Sequence, residues 1–382
     1  MQRLFCLGIA LVFIFSIFFL SPGLTLAGGK GYQGAPRTFL WSPGFHKMSD
    51  TTQYKKAPPY VIGFSNASIS NIWRVSMLHE VQYHAYLHRD KIKKLLITDA
   101  NDNPTKQIAD IQDLMQRGVD LLIVSAAQSA ALDPIVTRAT RRGIPVVMVD
   151  RRVDSDNFVS FVTASDLSLG RFHAQWIVEM LNGEGNVIML PGLAGSSPAE
   201  LRIKAAKEVF GQYPDIKILE MQYTDWSPAK GKKVMAALIQ KYGRQIDAVW
   251  CDHGLQGSGS IEAFVEAGYQ AGEIPPHTGA DLNLQLQLAV KHKVPVMWIN
   301  YPPLMGGIAV DVAMKVLQGA SVPFIYEIPN QLIVSKGFET PSVPANIFVE
   351  DYVKMDRPGD LILSLDLPED YDPHTFKIDY PK

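Results

Sequence analysis

From Pro59 onward, short apolar runs rich in Val, Ile, Leu and Phe alternate with segments whose apolar residues recur at helical spacing. This alternation constrains the fold more than any other feature, because strand–helix–strand units close right-handed onto parallel sheets. Strands are expected at Tyr60–Phe64, Leu95–Thr98, Leu121–Val124, Pro145–Val149 and Phe158–Val162, and helices over Asn71–Leu87, Pro104–Arg117 and Ala130–Arg142. After Asp166 the alternation restarts. Strands then fall at Val187–Leu190, Ile218–Gln222, Ala248–Cys251, a short run ending at Asp281, and Val294–Ile299. Helices follow near 166–181, 198–211, 228–242, 258–267 and 283–291. Asn103-Pro104, Ser197-Pro198 and Ser227-Pro228 each set a capping side chain before proline at a helix start, and Ser197 to Glu200 reads as a capping box. The restart predicts two doubly wound α/β lobes in tandem. Beyond Ile299, Tyr301-Pro302-Pro303 opens a helix to Gln318, and Phe324–Ile328 and Leu332–Val334 read as strands.

The N-terminus carries a different signal. Arg3 precedes an apolar run from Leu4 to Leu20, then Pro22-Gly23 and the small-residue site Thr25-Leu26-Ala27. An uncleaved anchor is the alternative, but helix-breaking Pro22-Gly23 favours a secretory signal cleaved after Ala27. Cleavage removes Arg3 and Cys6, taking the formal charge from −2 to −3 and leaving Cys251 as the one cysteine. A mildly acidic exported chain has no electrostatic case for binding nucleic acid, and a single cysteine allows no disulfide framework. Residues 28–57 form an extension with isolated aromatics at Phe39, Trp41 and Phe45, and proline and acid dominate a tail from Pro341 to Lys382.

Enzyme and metal motifs are absent from the chain: there is no GxxxxGK[ST], GxSxG or HExxH, and no Cys/His pair at metal spacing. No cofactor or metal is expected. His79, His84 and His88 share a helix with mixed spacing and read as a surface face. Gly254-Leu-Gln-Gly257-Ser-Gly259 faintly suggests a dinucleotide loop, but its glycines are in the wrong order.

Polar and aromatic residues at strand-to-helix junctions make the stronger case. They are Asn71, Trp73, Arg74, Asp150, Arg151, Asp166, Arg202, Trp226, His253, Asp281, Asn283 and Asn300. Ligands of open α/β sheets sit outside the carboxyl ends of strands, where these residues fall. Rings that pack on C–H faces, with Asp, Asn and Arg bonding hydroxyls, suit a polyhydroxylated ligand. Taken singly, Asp166 also fits a helix cap, Arg151 a solvated loop charge, and either Trp a core residue.

The chain from Tyr60 to Val334 resembles the periplasmic sugar-binding proteins of ABC importers, specifically the ribose-binding-protein-like group. The resemblance rests on NDNPTKQIADIQDLMQRGVDLLIV, GIPVVMVDR, LAGSSPAELR, the GAD ending at Asp281, and NYPPLMGGIAVDVAMKVLQG from Asn300. It implies two Rossmann-like, doubly wound parallel-sheet lobes joined by a three-crossover hinge near Thr163, Asn300 and Gln331. It assigns Asn71 and Trp73 to the first-lobe asparagine and stacking aromatic, and Asp150 and Arg151 to the Asp-Arg pair. Asp166 takes the place of the hinge-side aspartate, Arg202, Trp226 and Asp281 those of second-lobe contacts, and Asn300 stands where glutamine is common. Leu167, Arg74 and His253-Gly254 depart from the family pattern and argue against ribose itself.

The expected protein is therefore non-enzymatic, monomeric and periplasmic. It would capture a small neutral sugar or polyol and deliver it to a membrane ABC permease, or else dock as a sensor on a membrane receptor or histidine kinase. The first lobe is expected to span 58–163 with 301–330, and the second 164–300 with 331–340.

Overall fold

Leu121–Val124 and Val146–Val149 are buried at every position. Strands lose their alternation in this way when helices cover both faces of a parallel sheet. The computed structural model describes residues 47–344, 347–368 and 371–372. The signal segment and the aromatics at Phe39, Trp41 and Phe45 lie outside them.

The chain runs β1 (Met48–Ser49), β2 (Tyr60–Asn66), α1 (Ile72–Leu87), β3 (Ile92–Asp99), α2 (Pro104–Gln116), β4 (Leu121–Val124), α3 (Ser129–Arg141), β5 (Val146–Val149) and β6 (Ser160–Ala164). It continues with α4 (Asp166–Met180), β7 (Gly185–Leu190), α5 (Ser197–Phe210), β8 (Ile216–Met221), α6 (Pro228–Tyr242), β9 (Ala248–Cys251), α7 (Gly254–Glu266), β10 (His277–Gly279), α8 (Asn283–His292) and β11 (Val296–Ile299). The last elements are α9 (Met305–Leu317), β12 (Val322–Pro323), β13 (Ile325–Ile328), β14 (Leu332–Val334), β15 (Ile347–Phe348) and α10 (Val349–Tyr352).

Two sheets result. The first is parallel throughout, in the order β13-β6-β5-β4-β2-β3. The second is β15-β14-β11-β10-β9-β7-β8, with β14 antiparallel to β11. Both are doubly wound, and their switch points fall between β2 and β4 and between β7 and β9. The chain passes from one sheet to the other three times: after β6, after β11 and after β13. Asn330 staples these crossings together. Its carboxamide accepts from the Ser165 N–H at 3.3 Å and donates to the Asn300 carbonyl at 2.5 Å.

Of the local readings, one holds and two change. The glycine run at Gly254–Gly259 opens a helix, since α7 begins at Gly254. A Cβ on Gly259 would lie 2.0 Å from the Pro228 carbonyl oxygen, so the glycines let α6 and α7 approach. Ser197 does not cap α5: it is the first helical residue, and its Oγ accepts from the Arg152 N–H of the other lobe at 3.0 Å. The segment after Pro341 does more than cover surface, since β15 adds an edge strand and Val343, Val349 and Ile362 are buried. Asn103 and Ser227 do cap their helices, accepting from Lys106 and Lys230 N–H.

Candidate ligand-binding cleft

The carboxyl edges of the two sheets face each other across a cleft with about 310 Å³ of empty volume, mouth included. Its first-lobe wall is Asn71, Trp73, Arg74, Asp150 and Arg151; its second-lobe wall is Pro198, Arg202, Trp226, His253 and Leu255; Tyr301 of the second crossing closes the hinge side.

Each wall is built by local chain chemistry. Asn71 is the N-cap of α1, and its Oδ1 accepts from Arg74 N–H at 3.0 Å, which leaves its amide donors uncommitted to the helix. Arg74 is spent within its own lobe. Its guanidinium donates to Asp150, Asn66 and Ser125 Oγ, and its Nε to the Ser68 carbonyl at 3.2 Å. Burial and the neighbouring Arg151 charge pull Arg74 down to about 10. Asp150 does not turn away from the cleft as strand alternation suggests; a left-handed φ of 61° swings it under Arg74. Trp226 and Asp281 share that backbone region, with φ of 51° and 62°. Strain at non-glycine residues costs about 1–3 kcal/mol each and collects at ligand sites.

Arg151 is neither solvated nor unpaired. Its Nη1 donates to Asp102 Oδ1 at 3.0 Å, and its guanidinium carbon lies 5.1 Å from the Trp226 ring centre. The indole N–H of Trp226 donates to Asp252 Oδ1 at 3.0 Å. Gly192 makes room for that ring: a Cβ there would fall 1.9 Å from it. In the second lobe Arg202 donates from Nε to Asp166 Oδ1 at 2.8 Å and from Nη1 to the Asp252 carbonyl at 3.2 Å. Its guanidinium stacks 4.3 Å from the Tyr301 ring centre. Asp166 therefore does not cap α4, a task that falls to Ser165, which accepts from Ser168 N–H. Burial pushes Asp166 up to about 7 against the pull of Arg202.

Tyr301 escaped the sequence reading, where it opens a proline-rich helix start. It joins both lobes: its carbonyl accepts from Trp73 Nε1 at 2.8 Å, and its N–H donates to Asp281 Oδ1 at 2.8 Å. Its hydroxyl sits 3.2 Å from Thr163 Oγ1 and donates to Asp166 Oδ2 at 3.4 Å. Asp252 also went unread, although its place directly after β9 matches that of Asp150 after β5. Asp166 and Asn300 stand behind the lining, and Asp281 stands directly behind its His253, with Oδ2 3.5 Å from His253 Nε2. Asn300 is a hinge residue, its side chain accepting from the Gln331 N–H of the next crossing. Burial holds the imidazole of His253 neutral, down to about 3, and its Nδ1 accepts from Leu255 N–H. Nε2 must then carry the proton and act as a donor. Among the described residues no group of three or more His, Cys, Asp or Glu is arranged to hold a metal ion.

Two doubly wound lobes, crossed three times by the chain and facing a cleft at their switch points, make the fold of the type I periplasmic binding proteins. The chain belongs to the periplasmic binding protein family, whose domain model matches residues 62–321. It is similar to the ribose import binding protein of Bacillus subtilis (strain 168), 27% identical over 78% of this chain and 93% of that one. It is likewise similar to the galactofuranose-binding protein of Escherichia coli (strain K12), 27% identical over 70% of this chain and 85% of the other. Among solved structures, the fructose-binding periplasmic domain of a hybrid two-component system superposes with a TM-score of 0.67. That pair is 28% identical, covering 73% of this chain and 92% of the other.

Proposed function

We propose that this chain is an exported solute-binding protein that captures a small neutral sugar or polyol between its lobes and delivers it to a membrane ABC permease. Charge balance in the cleft carries the reading. Arg74, Arg151 and Arg202 each already have a carboxylate partner, in Asp150, Asp102 and Asp166. No guanidinium is left over to neutralise an anionic ligand. Trp73, Trp226 and Tyr301 offer ring faces for C–H surfaces, and Asn71, Arg151 and His253 retain donors for hydroxyls. A handful of such bonds supports affinity of about 1 µM, near −8 kcal/mol. Arg74, Asp150 and Asp166 serve this site by holding its charged walls, and Asn300 by holding the hinge. Binding and closure need no covalent chemistry, so the reading is non-enzymatic, with a monomer acting in the periplasm after cleavage near Ala27.

A second reading, a sensor docking on a membrane receptor or kinase, is favoured by the likeness to a two-component periplasmic domain. A thermal-shift screen over neutral monosaccharides, polyols, uronic acids and sugar phosphates tests the ligand class. Ligand at 100 times Kd adds roughly 2.7 kcal/mol of stability. Stabilisation by the acidic compounds alone would overturn the neutral-sugar reading. Uptake of the labelled hit, unchanged in cells lacking this protein, would move the assignment from transport to sensing.

A further inference from the structure

The C-terminal segment, outside the stretch that the family model matches, packs behind the cleft wall against Asp281. It is fastened to the second lobe by backbone bonds, Leu284 N–H to the Gly359 carbonyl at 2.8 Å, Asn283 N–H to the Leu361 carbonyl at 3.0 Å and Leu363 N–H to the Asp281 carbonyl at 2.9 Å. It then crosses to the first lobe. Asp366 N–H donates to Glu80 Oε1 of α1 at 3.1 Å, and the Tyr371 ring packs 5.5 Å from that of His79. Between these anchors, Ser364 Oγ donates to Asp281 Oδ1 at 2.5 Å.

That bond fixes how Asp281 presents its carboxylate. Oδ1 takes both Ser364 and the Tyr301 N–H, so Oδ2 is turned to His253 Nε2 at 3.5 Å. Neither Oδ2 nor Nε2 has a hydrogen-bond partner, although both are buried. Buried polar atoms left in this way call for a missing partner. Nε2 is a donor and Oδ2 an acceptor, a combination that suits one hydroxyl, accepting from the first and donating to the second.

We propose that Ser364 is a positioning residue of the ligand site: by holding Asp281 Oδ1 it aims Oδ2 and His253 Nε2 at one ligand hydroxyl. The functional half of this proposal rests on the sugar-binding reading, whereas the effect on Asp281 does not. Burial raises Asp281 to about 7, against the pull of Ser364, the Tyr301 N–H, Arg202 and Trp73. His253 and the Tyr352 phenol are the other titratable groups facing it, and burial holds both uncharged, with His253 low and Tyr352 high. Loss of the Ser364 bond therefore moves the Asp281 titration upward.

The test compares the full chain with Ser364→Ala and Ser364→Thr. Carbon-13 titration of the Asp281 carboxyl, assigned with Asp281→Asn, is followed in ligand-free protein. Fluorescence titrations with D-ribose, D-xylose, D-fructose, L-arabinose and xylitol are run below and above neutral pH. Ser364→Ala is expected to raise the Asp281 midpoint by about half a pH unit or more and to weaken the bound sugar about tenfold, with Ser364→Thr restoring both. An unchanged Asp281 midpoint in Ser364→Ala overturns the proposal whether or not any sugar binds. So does a loss of affinity that Ser364→Thr fails to restore. A wild-type protein that binds none of the five compounds tells instead against the sugar-binding reading, and the carboxyl titration still decides the role of Ser364.

Discussion

The guanidinium of Arg151, at the carboxyl edge of the first sheet, stands over the indole of Trp226 from the second, 5.1 Å from its centre. The contact crosses the cleft, so it exists only when the lobes are close. Such pairs contribute about 0.5–2 kcal/mol, more as water leaves. Arg151 is held from behind by Asp102, and Trp226 by Asp252. Each partner is thus oriented by an acid of its own lobe before the lobes meet.

Arg151→Ala should weaken sugar binding by roughly 2–4 kcal/mol, because it removes a cross-cleft contact and leaves Asp102 and Asp150 without their neighbour. Trp226→Phe keeps a ring face but loses the bond to Asp252, and about 1 kcal/mol is expected. Gly192→Ala, whose methyl would collide with the indole, should cost more than Trp226→Phe. Calorimetric titration of the three variants checks the ranking. A Gly192→Ala protein binding as tightly as wild type would show that the indole position is not needed.

Closure has its own latch at the mouth. Arg152 N–H donates to Ser197 Oγ at 3.0 Å, and Ser129 N–H to the Gly195 carbonyl at 3.2 Å, both between lobes. Ser197→Ala removes one of these bonds without touching the cleft lining. Affinity is expected to fall about five- to tenfold, matching a bond worth about 1–1.5 kcal/mol, with the loss in the dissociation rate. Small-angle scattering should show a larger radius of gyration for ligand-free Ser197→Ala than for ligand-free wild type. Equal radii and equal rates would remove the latch from the closing mechanism.

The alternation of apolar runs and helical spacing gave away the sheets, because a strand buried on both faces must be apolar throughout. Strand-to-helix junctions likewise pointed to the walls, since doubly wound topology decides which strand ends meet. Hydrogen-bond partners were not legible. Ser197 has the local pattern of a cap, yet its hydroxyl serves a residue of the other lobe. Asp281 is bonded by Ser364 across a sequence distance that no periodicity spans. Tyr301 looked like the prelude to a helix, and only the hinge geometry sets its N–H, carbonyl and hydroxyl against three different partners.

Stability should respond to pH through two opposed sets of buried groups. Asp166 and Asp281 are raised to about 7, so the folded chain holds protons that the unfolded chain releases, and stability falls as pH climbs from the ordinary carboxylate range to about 7. His173, His253 and His277 are lowered, the first two to about 3 and the last to about 4, so stability is full above their ordinary 6.5 and is lost as pH falls below it. Within that shared window the slopes offset one another. His277 lies away from the cleft, bonded to Ser260 and the Pro275 carbonyl. His277→Gln removes one histidine and leaves the acids. Its slope of Tm against rising pH should therefore be more negative than that of wild type, read by calorimetry between about pH 4.5 and about pH 6.5. Parallel curves would mean that His277 titrates normally.

The ligand's charge is the sharpest test of the cleft. Because Arg74, Arg151 and Arg202 are each committed to a carboxylate, an anionic ligand would have to break one of those pairs and leave an acid buried and alone, at a cost of several kcal/mol. A neutral sugar adds hydrogen bonds without disturbing them. Interactions of a neutral ligand are poorly screened, so Kd is expected to change less than about twofold between low and high salt. The most accessible of the three acids is Asp102, whose carboxylate is partly open to solvent. Asp102→Asn should therefore free Arg151 with little disruption and let the cleft accept a uronic acid, with an affinity that drops as salt rises. Tight, salt-sensitive binding of a uronic acid or sugar phosphate by the wild-type chain would contradict the assignment and make Arg151 the anion contact.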